Sequence, residues 1–227
     1  MGYRLNYKFL LNQRLRIHHI VMVFALACIT AWQTTTAMAQ SAPSHSPKIL
    51  VLGDSLSAEY GLVRGTGWVA LLEKKLRAEK LSWQIVNASI SGETTAGGQA
   101  RLPQLLKVHQ PQIVIIELGA NDALRGLQLP ATEKNLRAMV QSSKKSGAQV
   151  LLLGMRIPPN YGQHYTQKFF ELFGHVASSE QVSHLPFFLE KVAQQIELFQ
   201  ADRIHPNEKA QSILLDNVWS RLFPLLR

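Results

Sequence analysis

A single cysteine, Cys28, stands among 227 residues, and everything after it is cysteine-free. Disulfides, thiol catalysis and cysteine-ligated zinc are therefore excluded from the body of the chain, whose stability has to come from a packed core. The apolar segment at residues 20–32 spans about 13 residues, short of the ~20 that cross a bilayer. No lysine and arginine cluster with interleaved aromatics occurs, so a nucleic-acid footprint is not supported. Acid is missing from residues 1–39, which hold Arg4, Lys8, Arg14 and Arg16. Subtracting these four from 24 basic residues leaves 20 against 15 acidic ones, so the formal charge of +9 falls to +5 for the remainder. That charge is compatible with a mild attraction to anionic membrane surfaces. No internal repeat and no second domain is visible.

What is present begins with an export signal. A basic stretch ends at His19, the apolar segment follows, and Ala37-Met38-Ala39 puts small residues at the two positions a signal peptidase reads. The expectation is a signal peptide over residues 1–39, cleaved after Ala39, and an exported, periplasmic or secreted protein; Cys28 leaves with the signal. Residues 40–47 are small and polar and read as a flexible leader. Residues 48–227 are long enough, and at 46% apolar for the whole chain rich enough, to bury a core of one domain.

Within that domain apolar runs alternate with amphipathic segments. Strands are expected at residues 49–52, 83–88, 113–118, 150–154 and 184–188. Helices are expected at 67–80, 98–109, 132–146, 165–177, 190–199 and 207–223, with Thr132 as an N-cap, Gly147 as a stop, and Pro103 confined to a first turn. Residues 156–162 read as a proline-rich loop. The alternation implies a three-layer α/β/α sandwich around a five-stranded parallel sheet. In such sheets ligands sit outside the carboxyl ends of the strands. The polar groups Asp54-Ser55, Ser91-Gly92 and Asn121-Asp122 each follow a strand and so gather at that edge.

Ser55 sits just past the first strand, although Gly53-Asp54-Ser55 alone is equally an ordinary turn. Near the end lies Asp202-Arg203-Ile204-His205-Pro206-Asn207. An aspartate three residues before a histidine, in a loop turned by proline, can bond the imidazole Nδ1 and leave Nε2 free to take a proton from a hydroxyl. The same pattern also fits a helix-capping turn or half of a metal site.

Taken together, these pieces resemble the SGNH, or GDSL-type, serine hydrolase family over nearly all of residues 48–223. The blocks are Gly53-Asp54-Ser55-Leu56-Ser57, then Asn87 through Thr95, then Glu117-Leu118-Gly119-Ala120-Asn121-Asp122, and last Asp202 through Asn207. Leu124-Arg125-Gly126 and Arg156 through Gly162 extend the likeness toward the thioesterase, lysophospholipase and arylesterase members. The resemblance implies the flavodoxin-like fold of that family, Ser55 as nucleophile, His205 as general base and Asp202 as the residue that orients it. It also implies an oxyanion hole from the N–H groups of Ser55 and Gly92 and the side-chain amide of Asn121, with no cofactor and no metal. Asp54 and Asp122 are read as structural, the first bonding amides of its own loop and the second holding the loop that presents Asn121. Glu59, Glu93, Ala123 and Arg203 depart from the family's usual residues, glycine at 59, 123 and 203. Glu59 and Ala123 are expected to line the approach to the site.

The expected reaction is acyl transfer through a covalent Ser55 ester, favoured at neutral to alkaline pH because the base has to be neutral. Leu124, Ile157 and Tyr161 are the candidate substrate-binding residues, with Leu127, Leu129 and Phe169 as further candidates to wall an acyl channel; core and loop packing explains the same residues equally well. The implied substrates are small acyl esters or thioesters of medium to long chains, including lysophospholipids, met by a monomer in transient contact with a membrane surface. Two other readings stay open: a carbohydrate O-acetyl esterase with a polar, open cleft, and a non-catalytic lipid- or glycan-binding module on the same scaffold. A metal-dependent phosphoesterase is disfavoured, because too few His and Asp residues cluster to supply ligands.

Overall fold

The computed structural model describes residues 46–227. The expected signal segment and most of the leader lie outside the described residues. Five parallel strands form one sheet: β1 (Lys48–Gly53), β2 (Gln84–Asn87), β3 (Ile113–Glu117), β4 (Gln149–Leu153) and β5 (Ser183–Leu185), in the order β2-β1-β3-β4-β5. The chain starts near the middle, moves outward once through β2, then crosses back to β3. This reversal creates a crevice at the carboxyl ends of β1 and β3, the place where open α/β sheets bind ligands. Register pairs Gly53 with Glu117 and Val51 with Asn87, so the first three polar blocks leave the sheet side by side.

The central strands are apolar because both their faces are covered. Ile49 to Leu52 and Ile113 to Ile116 are fully buried. One face carries α2 (Thr95–His109), α4 (Leu129–Lys145) and α5 (Gln163–Glu180), which pack in sequence against each other, while α1 (Trp68–Ala78) and α6 (Gln211–Leu222) pack together on the other. Helix α2 lies close to the sheet because Gly98 has no side chain: a Cβ there would stand 2.4 Å from Leu118 Cδ1.

Several boundaries differ from expectation. Helix α2 begins at Thr95, since the Thr94 hydroxyl accepts from the N–H of Gly97, and Pro103 therefore sits inside the helix. Helix α4 begins at Leu129, with Pro130 in its first turn supplying a preset φ. Thr132 is consequently no cap; it is buried and its hydroxyl meets Asp122 at 3.4 Å. Gly147, at φ +89°, does follow the helix end. Strand β5 stops at Leu185 because Pro186 has no N–H to continue the ladder. Residues 190–199 are turns and one 3-10 turn, Ile196–Leu198, rather than a helix, and Lys191 at φ +63° cannot sit in one. A short helix that the sequence pattern did not suggest, α3 (Ala120–Leu124), follows β3.

Candidate active site

Ser55 is reached by a turn that leaves β1 at Gly53. A Cβ on Gly53 would stand 2.8 Å from both Glu117 Oε2 and the Ser57 side chain, so only glycine lets β1 end against them. The Asp54 carbonyl accepts from the N–H groups of Ser57 and Ala58, at 3.2 and 3.0 Å, and closes the turn. The loop after β2 is fastened to it: Ile90 N–H donates to the Gly53 carbonyl at 3.0 Å and Asn87 Nδ2 to the Ser57 carbonyl at 2.8 Å. Gly92, two residues beyond Ile90, adopts φ +78°, and its carbonyl accepts from Arg125 Nη2 at 2.9 Å. Among the described residues neither the Ser55 nor the Gly92 N–H has a protein acceptor.

The last block folds as a tight loop held at its base. The carbonyl of His205 accepts from Gln200 N–H and that of Leu198 from Asn207 N–H, both at 2.8 Å. Within it, Asp202 Oδ1 accepts from the N–H groups of Ile204 and His205 at 2.9 and 3.0 Å, leaving Oδ2 for the ring. Arg203 takes φ +57°, a conformation glycine adopts without cost, and Glu59 takes φ +60°. Both are positions where the resemblance led to an expectation of glycine.

A continuous hydrogen-bonded line joins the turn after β1 to the loop before α6. Asp202 Oδ2 lies 2.6 Å from His205 Nδ1, and His205 Nε2 lies 2.9 Å from Ser55 Oγ. Because an ionised carboxylate only accepts, Nδ1 carries the ring proton, and Nε2 is left to accept from the Ser55 hydroxyl. Burial opposes the charge on Asp202, but the N–H groups of His205 and Ile204 and the His205 ring outweigh it and hold the carboxyl at about 2. Asp202 thus stays ionised at any ordinary pH and keeps accepting from the ring. Tyr60 covers the other side of the imidazole, its ring 4.4 Å away and tilted by 39°.

Beneath the serine lie two carboxyls. Asp54 accepts from Leu56 N–H and from Asn121 Nδ2, both at 3.0 Å, and burial pushes it up to about 6. Glu117 accepts from the Ser57 hydroxyl at 2.8 Å and from Asp54 N–H at 3.3 Å. Burial first, and the neighbouring Asp54 charge second, raise it well above the usual carboxylate range. Trp68 Nε1 completes the network by donating to Ser57 Oγ at 3.2 Å. Asp122 ties the α3 turn to the start of α2, accepting from both the N–H and the hydroxyl of Thr95.

Ser55, Asn121 and His205 open on a groove of about 880 Å³. Leu124 and Ile157 line it, with Leu56, Met155, Leu189 and Phe199. Tyr161 does not: it stands 40% exposed outside the groove, because the 3-10 turn Pro159–Tyr161 carries it away from the wall. Phe169 is fully buried against Phe173, and Leu127 and Leu129 also stay off the groove. Glu59 and Ala123 do not line the approach either. The Glu59 carboxylate is turned onto the N–H groups of Gly65 and Gly67, and Ala123 is in the core. Sequence reasoning gave no part to Glu117, Tyr60, Arg125 or the irregular wall at residues 187–199. An acid ending an otherwise apolar strand was the one signal that could have marked Glu117.

Residues 51–213 match the model of the GDSL-like Lipase/Acylhydrolase family. The chain belongs to that family. Among curated relatives, Esterase TesA of Pseudomonas aeruginosa is 51% identical over 178 residues, covering 78% of this chain and 89% of that protein. Thioesterase 1/protease 1/lysophospholipase L1 of Escherichia coli K12 is 44% identical over 178 residues, covering 78% and 84%. The crystal structure of TesA superposes with a TM-score of 0.77 at 50% identity, covering 78% of this chain and 99% of that one. Family membership and identities of this size make the chain a GDSL serine hydrolase acting on esters, with the fold expected from its strand and helix alternation.

Proposed function

We propose that this hydrolase cleaves carboxylic esters and thioesters of medium to long acyl chains through a covalent Ser55 ester. The observation that carries the reading is the unbroken line from Asp202 through His205 to Ser55 Oγ, opening on a groove of mixed lining in which apolar surface exceeds polar. Ser55 Oγ attacks the carbonyl carbon while its proton passes to His205 Nε2. The carbonyl electron pair moves onto oxygen, where the Ser55 and Gly92 N–H groups and Asn121 Nδ2 receive it. Collapse expels the alcohol or thiol, which takes the proton from His205. Water then repeats the sequence on the acyl-enzyme, and the fatty acid leaves.

Leu56, Leu124, Met155, Ile157, Leu189 and Phe199 supply the apolar surface for the chain. The relatives, named Esterase TesA and Thioesterase 1/protease 1/lysophospholipase L1, support the same substrate class. One chain provides every residue of the site, so a monomer suffices. Ile196 and Ile204, exposed on the groove rim at 61% and 53%, support brief contact with a lipid surface. Export belongs to this reading and rests on residues 1–39 alone; the intact mass of secreted protein should correspond to a chain starting at Gln40.

The decisive experiment runs p-nitrophenyl esters, acyl thioesters and lysophospholipids from acetyl to palmitoyl beside Ser55→Ala. Turnover should rise with chain length beyond acetyl, and Ser55→Ala should lose on the order of 10⁴-fold or more in kcat. A steep preference for acetyl would remove the acyl channel. An organophosphate that fails to label Ser55 would remove the nucleophile.

A further inference from the structure

Two buried carboxyls take no part in the proton transfers above, although they sit directly under the nucleophile: Asp54 is 1% exposed and Glu117 is inaccessible. Asp54 is bonded to Asn121, the side chain expected to receive the developing oxyanion. We propose that Asp54 is the positioning residue for Asn121: its carboxylate sets which end of the Asn121 amide faces the groove, and Glu117 beside it carries the proton that leaves Asp54 free to hold the charge.

The argument starts from the symmetry of an amide. The oxygen and nitrogen ends of asparagine are nearly the same size, so a half-turn about the last side-chain bond exchanges donor for acceptor with little steric change. In one orientation an N–H faces the reacting carbonyl oxygen. In the other Oδ1 faces it and repels the charge that develops there. An ionised carboxylate has no proton to give, so Asp54 accepts from Nδ2 at 3.0 Å and rejects Oδ1. The amide is planar, so anchoring one N–H fixes the line of the other; Asn121 lines the groove, and Asp54 is the one protein acceptor of its Nδ2 among the described residues.

Glu117 explains how a carboxylate this deep stays charged. The titratable groups that face Asp54 are Glu117 from the end of β3 and His205 from the loop before α6. Two adjoining buried carboxyls do not both ionise, and the more enclosed one keeps the proton. Glu117 is the more enclosed, and its Oε1 has no partner, which costs far less for a neutral acid than for an anion. Asp54, with two N–H donors of its own, holds the charge. Raised to about 6, it is ionised at neutral pH and takes a proton just below. Protonated Asp54 can donate to Oδ1, and the preference for one amide orientation disappears.

The inference rests on the acyl-transfer reading and is tested by kcat and KM for p-nitrophenyl butyrate between about pH 5 and pH 9. The proteins are wild type, Asp54→Asn, Asn121→Ala and the double variant, with melting temperatures to verify folding. Asp54→Asn keeps shape but can offer either a donor or an acceptor. It should lower kcat on the order of 10–10²-fold, part of the loss for a missing oxyanion donor, with KM within about twofold. The double variant should be no slower than Asn121→Ala alone, because Asp54 acts only through Asn121. Below neutrality the wild-type kcat should fall as Asp54 takes a proton at about 6, a component of the acid limb that Asp54→Asn lacks.

Unchanged kcat in Asp54→Asn, or losses that multiply in the double variant, would overturn the proposal. So would an acid limb in the wild type of the same shape and midpoint as that of Asp54→Asn. Full activity in Ser55→Ala would instead defeat the acyl-transfer reading itself, so the two failures are distinguishable.

Discussion

Gly53 illustrates how tightly the catalytic turn is built at the level of single residues. Adding one methyl there places a Cβ 2.8 Å from Glu117 Oε2 and from Ser57, both buried. Gly53→Ala should cost about 1–3 kcal/mol by overpacking and displace Ser55, read as a lower urea midpoint together with reduced kcat. Ser55, His205 and Asp202 were legible because chemistry restricts their types: a hydroxyl after a strand, and a histidine with an acid three residues before it. Tyr161 lies off the groove, a placement the sequence does not carry, because an aromatic in a loop reads the same whether it faces a groove or solvent. Glu59 and Arg203 show the opposite gap. Their departure from glycine was visible, but only φ values of +60° and +57° tell what the glycines do, and for Glu59 the carboxylate bonds to Gly65 and Gly67 add a reason to keep the side chain.

Among the elements, the buried node around Asp122 joins three pieces that each look independent in the sequence. Its carboxylate receives Thr95 from the start of α2 and Thr132 from inside α4, while its own backbone belongs to α3, which presents Asn121. Asp122→Ala leaves the buried Thr95 N–H unpaired and its hydroxyl with the bond from Asn135 alone, which should cost about 1–3 kcal/mol. Because the same change loosens the turn that carries Asn121, kcat should drop more than KM rises, checked by steady-state kinetics at a temperature where the variant is folded. Strand positions were legible from continuous apolar runs, since both faces of the sheet are covered. Helix starts were not, because Thr94 and Pro130 compete with later residues that have equal capping credentials. Residues 190–199 carried enough apolar spacing for a helix, yet Lys191 in the left-handed region denies it. Spacing alone has no view of such a backbone angle.

For the molecule as a whole, the buried acids make stability depend on pH in an unusual direction. The folded value of about 6 for Asp54 lies above its ordinary 3.8, so between those values the folded state holds more protons than the unfolded one. Its contribution to stability is therefore present below the lower value and lost as pH rises through the upper one. Glu117, also raised, acts in the same direction. Asp202 acts oppositely, but with a folded value of about 2 its window lies at lower pH and it stays ionised above it. Wild type should accordingly lose on the order of 1–3 kcal/mol more than Asp54→Asn between pH ~5 and ~8, measured from urea unfolding at each pH. The groove has a consequence for how this scaffold diversifies. One of its banks comes from the segments that follow β1, β3 and β4, Ser55 and Asn121 among them, and the other from irregular chain at residues 187–199. Insertions or deletions at residues 190–195 can recut that second bank, and with it the length of tail admitted, while Glu197 to Phe199 keep their bonds to Asn207 and the imidazole its place.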